Sequence, residues 1–263
     1  MRVTIKLARY ELRNVLRGKW LLAYALFFLL VTEVMLRFVG GSARTLLSLM
    51  NVVLLVVPLF SLLFGTMYLY GSREFGRLML AQPISRRQLY GGLYLGLSVP
   101  LALAAPLGIA VPFLVHGVSD ARHVPTVIVL ALAALVLAFV FTGLAFLVAV
   151  IVRDRAAGLG VSIVLWLFLA ALYDGLVLLA ASSLSHYPLD KPMLAAMLLN
   201  PIDLARVMFL LEFDVAALMG YTGAVFRRFF GTGLGIGIAA VSLAAWLVVP
   251  LLIGMRLFSR KDL

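Results

Sequence analysis

No cysteine occurs among the 263 residues, which excludes disulfides, thiolate metal sites and thiol nucleophiles together. Charge is nearly as scarce. Asp, Glu, Lys and Arg make up 13% of the chain, against about 25% in soluble domains. With 64% apolar residues and a mean hydropathy of +1.13, there is too little polar surface for a water-soluble globule, and disordered and collagen-like chains are excluded as well. The phosphate-cradling run G-x-x-x-x-G-K-[ST] is missing, because Gly18-Lys19 is followed by Trp20. No Ser/His/Asp or H-E-x-x-H arrangement takes its place. These absences leave an integral membrane protein with no visible nucleotide site or catalytic centre, not an enzyme by itself.

Uninterrupted apolar stretches cover Leu46–Tyr70, Leu89–Val115, Thr126–Val152, Leu159–Ser182 and Leu234–Met255, and a sixth, Trp20–Val39, carries Glu33 and Arg37. Each reaches the ~20 residues that cross a hydrocarbon core as helix. Helices are required, because lipid offers the backbone no partners and no closed-barrel alternation is visible. The first run is too long, and too charged near its end, for a cleaved signal, so it reads as a retained helix. Six spans place both termini on one side. Residues 1–19, 71–88, 153–158 and 256–263 then share that side and hold 15 of the 22 basic residues but only four of the 11 acids. The whole net charge of +11 lies there, and the positive-inside rule makes that face cytoplasmic.

Arg2, Lys6, Arg9, Arg13 and Arg17 fall on one helical face, with Ile5, Ala8, Leu12, Val15 and Leu16 beside them. This predicts an amphipathic helix in the headgroup layer, and the same run also serves as a topology signal. In the loop Gly71–Gln88, charged Glu74, Arg77, Arg86 and Arg87 interleave with Phe75, Leu78, Leu80 and Ile84, and Pro83 marks a stop. Two helical turns over Glu74–Ala81 would need a partner surface; a solvated loop is the alternative. The second cytoplasmic loop, Arg153-Asp154-Arg155-Ala156-Ala157-Gly158, is short. Residues 183–233 form a long outer segment, where Asn200-Pro201 and Asp203 signal a helix start, so two or three short helices resting on the outer leaflet are expected. Pro58, Pro100, Pro106 and Pro112 suggest kinked spans, and the i,i+4 glycines among Gly231, Gly233, Gly235 and Gly237 a close helix approach. Nothing divides residues 1–263 into more than one domain.

Glu33 and Arg37, spaced i,i+4, and Asp174 in the fifth span all count to the outer third of the membrane at ~1.5 Å per residue. Charges at that depth need partners and face the bundle interior. They either line a polar path or lock two helices through an arginine neutralised by one or both acids. Outside the membrane, Met193 and Met197 with His186 upstream form a thioether and imidazole set of the kind that suits copper(I). Their spacing matches no compact metal motif, and Met is an ordinary packing residue in so apolar a chain.

The loop Glu74-Phe75-Gly76-Arg77-Leu78-Met79-Leu80-Ala81-Gln82-Pro83-Ile84-Ser85-Arg86 resembles that of the ABC type-2 permeases, whose pattern is an acid, Gly-Thr-Leu, Leu-Leu and Pro-(Val/Ile)-Ser-Arg; Arg77 stands where Thr is usual. Leu199-Asn200-Pro201-Ile202-Asp203-Leu204-Ala205-Arg206, the run from Ala217 through Tyr221 to Phe226, Tyr173-Asp174-Gly175 and the final Arg-Lys-Asp-Leu are similar to the NosY-type branch. The resemblance implies an all-α integral membrane fold: six transmembrane helices, an interfacial N-terminal helix, a cytoplasmic coupling helix, and short helices in the outer loop. It implies an ATPase-coupling surface formed by Glu74, Phe75, Arg77, Leu78, Leu80, Pro83, Arg86, Arg153, Asp154 and Arg155. An outer partner contact is implied at Asn200, Pro201, Asp203, Arg206 and Tyr221. The implied assembly is a homodimer in a bacterial inner membrane with two NosF-type ATPase subunits, which bind ATP and Mg, and a NosD-type outer partner, a β-helix protein that handles copper for nitrous oxide reductase maturation. This chain would bind no cofactor itself. An exporter of lipid, drug or peptide, and an unpowered membrane scaffold, are the alternatives.

Overall fold

A computed structural model of the chain describes residues 2–39, 41–80, 84–116, 123–183, 190–212 and 233–260. Every regular element among them is helical. The amphipathic α1 (Arg2–Leu16) precedes the first span, α2 (Lys19–Phe38). A tight turn then opens α3 (Ser42–Gly71), with Gly41 at φ 86°, a backbone shape that glycine adopts without strain. The short α4 (Arg73–Leu80) follows, then the long α5 (Arg86–His116) and α6 (Val124–Ile151). The fifth span is α7 (Arg155–Leu167), a π-helical turn (Phe168–Leu172) and α8 (Tyr173–Ser183). Two short helices, α9 (Asp190–Leu198) and α10 (Pro201–Glu212), lead to the last span, α11 (Gly233–Arg260).

Six of these segments are long and apolar enough to cross a membrane, as the apolar runs require. The helices pass through Pro58, Pro100, Pro106, Pro112 and Pro250 without interruption. Helices α3, α5 and α6 form the packed centre, with α2 against α5, α7 against α3, and α11 against α6 and α5. Tyr90, Phe146 and Phe258 bring α5, α6 and α11 together edge-on and tilted. Each of the three tryptophans marks a different seam. Trp20 stacks on Phe64 at 4.4 Å between α2 and α3. The Trp166 indole donates to the Leu55 carbonyl at 3.0 Å, tying α7 to α3, and the Trp246 indole donates to the Leu198 carbonyl at 3.3 Å, tying α11 to the end of α9. A buried Thr66–Ser162 hydroxyl pair at 2.8 Å adds a second link from α3 to α7.

Thr4 of α1, Arg87 of α5 and Met255 of α11 border one cleft, so the two ends of the described chain meet at one end of the bundle. Helix α4 and the Val152–Asp154 connection share it, and it is called the basic end below. Helix α1 lies along α5 there. Its buried residues are Leu7, Glu11 and Val15, while Ile5 and Leu16 stay exposed. The face that packs is therefore rotated from the apolar stripe of Ile5, Ala8, Leu12, Val15 and Leu16 and shares Val15 with it. Two features, one on α5 and one on α3, explain it. Gly92 and Gly96 let the helices approach so closely that a methyl at either would overlap Leu7 or Glu11, and the Tyr68 hydroxyl donates to the Glu11 carboxylate at 2.6 Å. Among the described residues no atom lies within 4 Å of where a Cβ at Gly237 would be, so the close approach expected there is not made by them. It is Gly254, lower on α11, that receives the Tyr90 hydroxyl.

The outer segment also departs from the expectation in depth. Helices α9 and α10 meet at a 108° bend. The carbonyl of Leu198 at that bend accepts from Trp246 and Ser242, which lie roughly 13–20 Å along α11 from its start. The short helices form an elbow inserted between the spans instead of resting on their ends. Apolar α10 has its buried face, Pro201 to Leu210, against α6 and α3.

Candidate functional site

At the basic end, α4 is fixed at its first residue. Arg73 donates through Nη1 to the Arg153 carbonyl at 2.8 Å and through Nη2 to the Ala149 and Val152 carbonyls at 3.3 and 3.5 Å. Its guanidinium lies over the Tyr70 ring at 4.4 Å, a cation–π contact. The Tyr70 hydroxyl itself donates to the Val152 carbonyl at 2.9 Å, in space left open by Gly158, where any Cβ would overlap it. Asp154 caps α7, accepting from the Ala157 N–H at 2.7 Å. The two connections at this end therefore form one hydrogen-bonded unit.

From that anchor α4 turns Glu74 and Leu78 outward, the latter 70% exposed. Phe75 and Met79 are half-buried, and Phe75 stacks on Tyr10 of α1 with centroids 6.3 Å apart. Arg153, Asp154 and Arg155 are exposed beside it, and Arg86 is half-buried at the start of α5. Arg77 and Leu80 belong to α4, with side chains outside the described residues; Pro83 is outside them as well. After Pro83, Ser85 and Gln88 cap α5 reciprocally: the Gln88 N–H donates to Ser85 Oγ at 3.3 Å and the Ser85 N–H to Gln88 Oε1 at 3.1 Å. This is a capping box. It gives the Pro-Ile-Ser-Arg motif a structural reason, and the S-x-x-Q spacing was legible in the sequence. Tyr70 and Arg73, which the sequence reading passed over, carried no comparable signal.

At the opposite end the three intramembrane charges separate into two groups. Glu33 takes Arg37 at 2.6 Å from within α2 and His116 Nε2 at 2.9 Å from α5. Among the described residues the link between helices is thus the histidine, and Arg37, on the same helix as the acid, bonds to no other helix. Asp174 belongs elsewhere: Arg206 of α10 donates to it at 2.6 Å and to Asp203 at 3.0 Å.

Asn200 organises this second group from the elbow. Its side-chain amide donates to Asp203 Oδ2 and to the Leu169 carbonyl, both at 2.9 Å, and its Oδ1 accepts from the Ile202 N–H at 3.0 Å. The Leu169 carbonyl lies in the π-helical turn, where the i→i+5 pattern displaces the usual ladder. Pro201 at the first helical position supplies the matching backbone preference. Tyr173 adds a bond to the Ala196 carbonyl at 2.6 Å. Asn200, Pro201 and Asp203 are buried within the chain, so their side chains are committed to the elbow. Tyr221 and His186 lie outside the described residues. Met197 packs against the small cluster of Leu204, Val207 and Ala239, and Met193 is half-buried on α9.

The ABC-2 family transporter model matches residues 47–263. Two curated relatives are similar over essentially their full length. One, a probable ABC transporter permease protein NosY of Pseudomonas aeruginosa, is 31% identical over 282 aligned positions, covering 100% of both chains. The other, from Stutzerimonas stutzeri and bearing the same name, is 30% identical over 275 positions, covering 97% of each. With six membrane-crossing helices and an anchored amphipathic helix between the second and third, these likenesses have one meaning: the chain belongs to the ABC-2 transporter family, as the permease subunit of an ABC transporter.

Proposed function

We propose that this permease carries the closing motion of separate cytoplasmic ATPase subunits to the outer side of a bacterial inner membrane, in the maturation of the copper enzyme nitrous oxide reductase. The observation that carries the reading is the Arg73–Tyr70 clamp. It joins α4, which presents Glu74 and Leu78 outward, to the carbonyls of residues 149–153. A push on α4 therefore displaces the start of α7 as well. Helix α7 continues through the π turn to Asn200 and the Asp174–Arg206 pair, and so to the elbow. Both termini are cytoplasmic in this reading, in line with the positive-inside distribution.

The working assembly is a homodimer with two NosF-type ATPases, which hold ATP and Mg, and a NosD-type partner on the outer face that handles copper. The likeness to two proteins named NosY supports this branch. Force transmission is favoured over a copper channel. The described ionisable groups within the spans pair near one end and form no continuous polar track. The test is co-purification of the tagged chain with the ATPase, comparing wild type with Glu74→Lys and Leu78→Asp. Loss of the ATPase from both variants, with ATP altering the conformation of the intact complex, is the expected result. Retention of the ATPase by both variants, or indifference of the complex to ATP, overturns it.

A further inference from the structure

A cleft of about 370 Å³ opens at the basic end between α5 and α11, with α1 closing one side. Arg87 and Gln88 stand at its mouth, Thr4 comes from α1, and Leu95, Leu251 and Met255 form the walls. Arg87 and Leu95 are separated by roughly 12 Å of helix. The cleft thus runs from the charged end of the bundle into the apolar stretch of two spans. Its floor is Gly91, where an added Cβ would meet only the Thr4 methyl, at 3.5 Å.

Arg87 is exposed and has no hydrogen-bond or ion-pair partner among the described residues. Gln88 uses its Oε1 on the Ser85 N–H, and its amide N–H groups make no hydrogen bond among the described residues. Arg256 and Arg260 are exposed on the same end of α11. A free guanidinium and amide donors at the rim, above an aliphatic slot about two helical turns deep, complement a phosphate ester carrying a hydrocarbon tail. A folded partner needs a broader surface, and a soluble anion has no use for the slot. We propose that this cleft binds one anionic phospholipid, with its phosphate on Arg87 and an acyl chain between Leu95, Leu251 and Met255.

The experiment uses the full chain in detergent, challenged with dioleoylphosphatidylglycerol or dioleoylphosphatidylcholine and read by native mass spectrometry. The wild type is expected to retain the anionic lipid over the zwitterionic one by about fivefold, the factor one basic side chain contributes near a bilayer surface. Arg87→Gln should erase that preference, while Arg9→Gln, an exposed cation on α1 outside the cleft, should keep it. Gly91→Leu should lower retention of both lipids, and Leu95→Trp fills the same slot from a partly exposed position if the first variant does not fold. Equal loss in Arg9→Gln would mean diffuse charge attraction and overturn the site. So would an unchanged preference in Arg87→Gln, displacement of the lipid by excess inorganic phosphate, or full retention by the filled variants.

Discussion

Replacing Asn200 with alanine removes three hydrogen bonds from a fully buried side chain. Losing the cap of α10 costs about 1 kcal/mol. The Leu169 carbonyl and one Asp203 oxygen also lose a donor where water does not reach, at about 1–3 kcal/mol each. Asp203 keeps Arg206, so the lower part of that range applies to it, and the sum is roughly 3–5 kcal/mol. Ordinary interhelical hydrogen bonds in lipid average only about 0.6 kcal/mol; three of that kind would total under 2. The two cases are separable by calorimetry of the full chain in detergent. At roughly 2–4 °C per kcal/mol for a chain of this size, Asn200→Ala should lower Tm by about 10 °C. Asn200→Ser keeps an oxygen for the Ile202 N–H and should regain about 3 °C of that loss. An alanine variant melting within about 2 °C of wild type would show that the elbow does not depend on this hub. A serine variant no better than alanine would show that the cap is not part of it.

The α1–α5 crossing should fail when its glycines gain side chains. Gly96→Val collides with Glu11, so trypsin should cut at Arg9 and Arg13 faster than in wild type, whereas Gly91→Ala, with only an ordinary contact, should leave the rate unchanged. Tyr68→Phe deprives the buried Glu11 carboxylate of its 2.6 Å donor, and a loss of about 1–3 kcal/mol should appear as a lowered Tm; an unchanged Tm would show the pair to be incidental. Gly158→Ala drives a methyl into the Tyr70 hydroxyl and should destabilise the clamp, while Gly160→Ala, with nothing within 4 Å, should be neutral or gain up to about 1 kcal/mol of helix propensity. The two changes are chemically identical and two residues apart, so equal melting temperatures would refute the clamp's geometry.

The spans were legible because crossing lipid imposes a length and a composition on each segment separately, and both can be read without knowing any neighbour. Helix α4 was legible for a related reason, since its charged and apolar residues alternate at helical spacing ahead of the stop at Pro83. What failed was azimuth. Counting residues put Glu33, Arg37 and Asp174 at similar depths, but depth does not say which way a side chain points. His116 reaches Glu33 from α5 and Arg206 reaches Asp174 from α10, pairings fixed only by how the helices pack. The face by which α1 packs on the bundle carried no local signal either. Periodicity marks the stripe Ile5, Ala8, Leu12, Val15 and Leu16, whereas the glycines of α5 and the hydroxyl of Tyr68 select Leu7, Glu11 and Val15, with Val15 common to both. The depth of the elbow depended on Trp246 and Ser242 finding Leu198 across 44 to 48 residues of chain, a relation that no local pattern encodes.

The placement of Trp20, Trp166 and Trp246 at three separate seams has a practical consequence. Indole emission responds to the hydrogen bond at its nitrogen and to stacking, so the permease carries three intrinsic optical reporters, each at a different helix boundary. Substituting any two with phenylalanine leaves a single unlabelled probe. Because the protein has no cysteine, one introduced thiol could then bear a quencher at a chosen place, and the movement of each seam could be timed by itself.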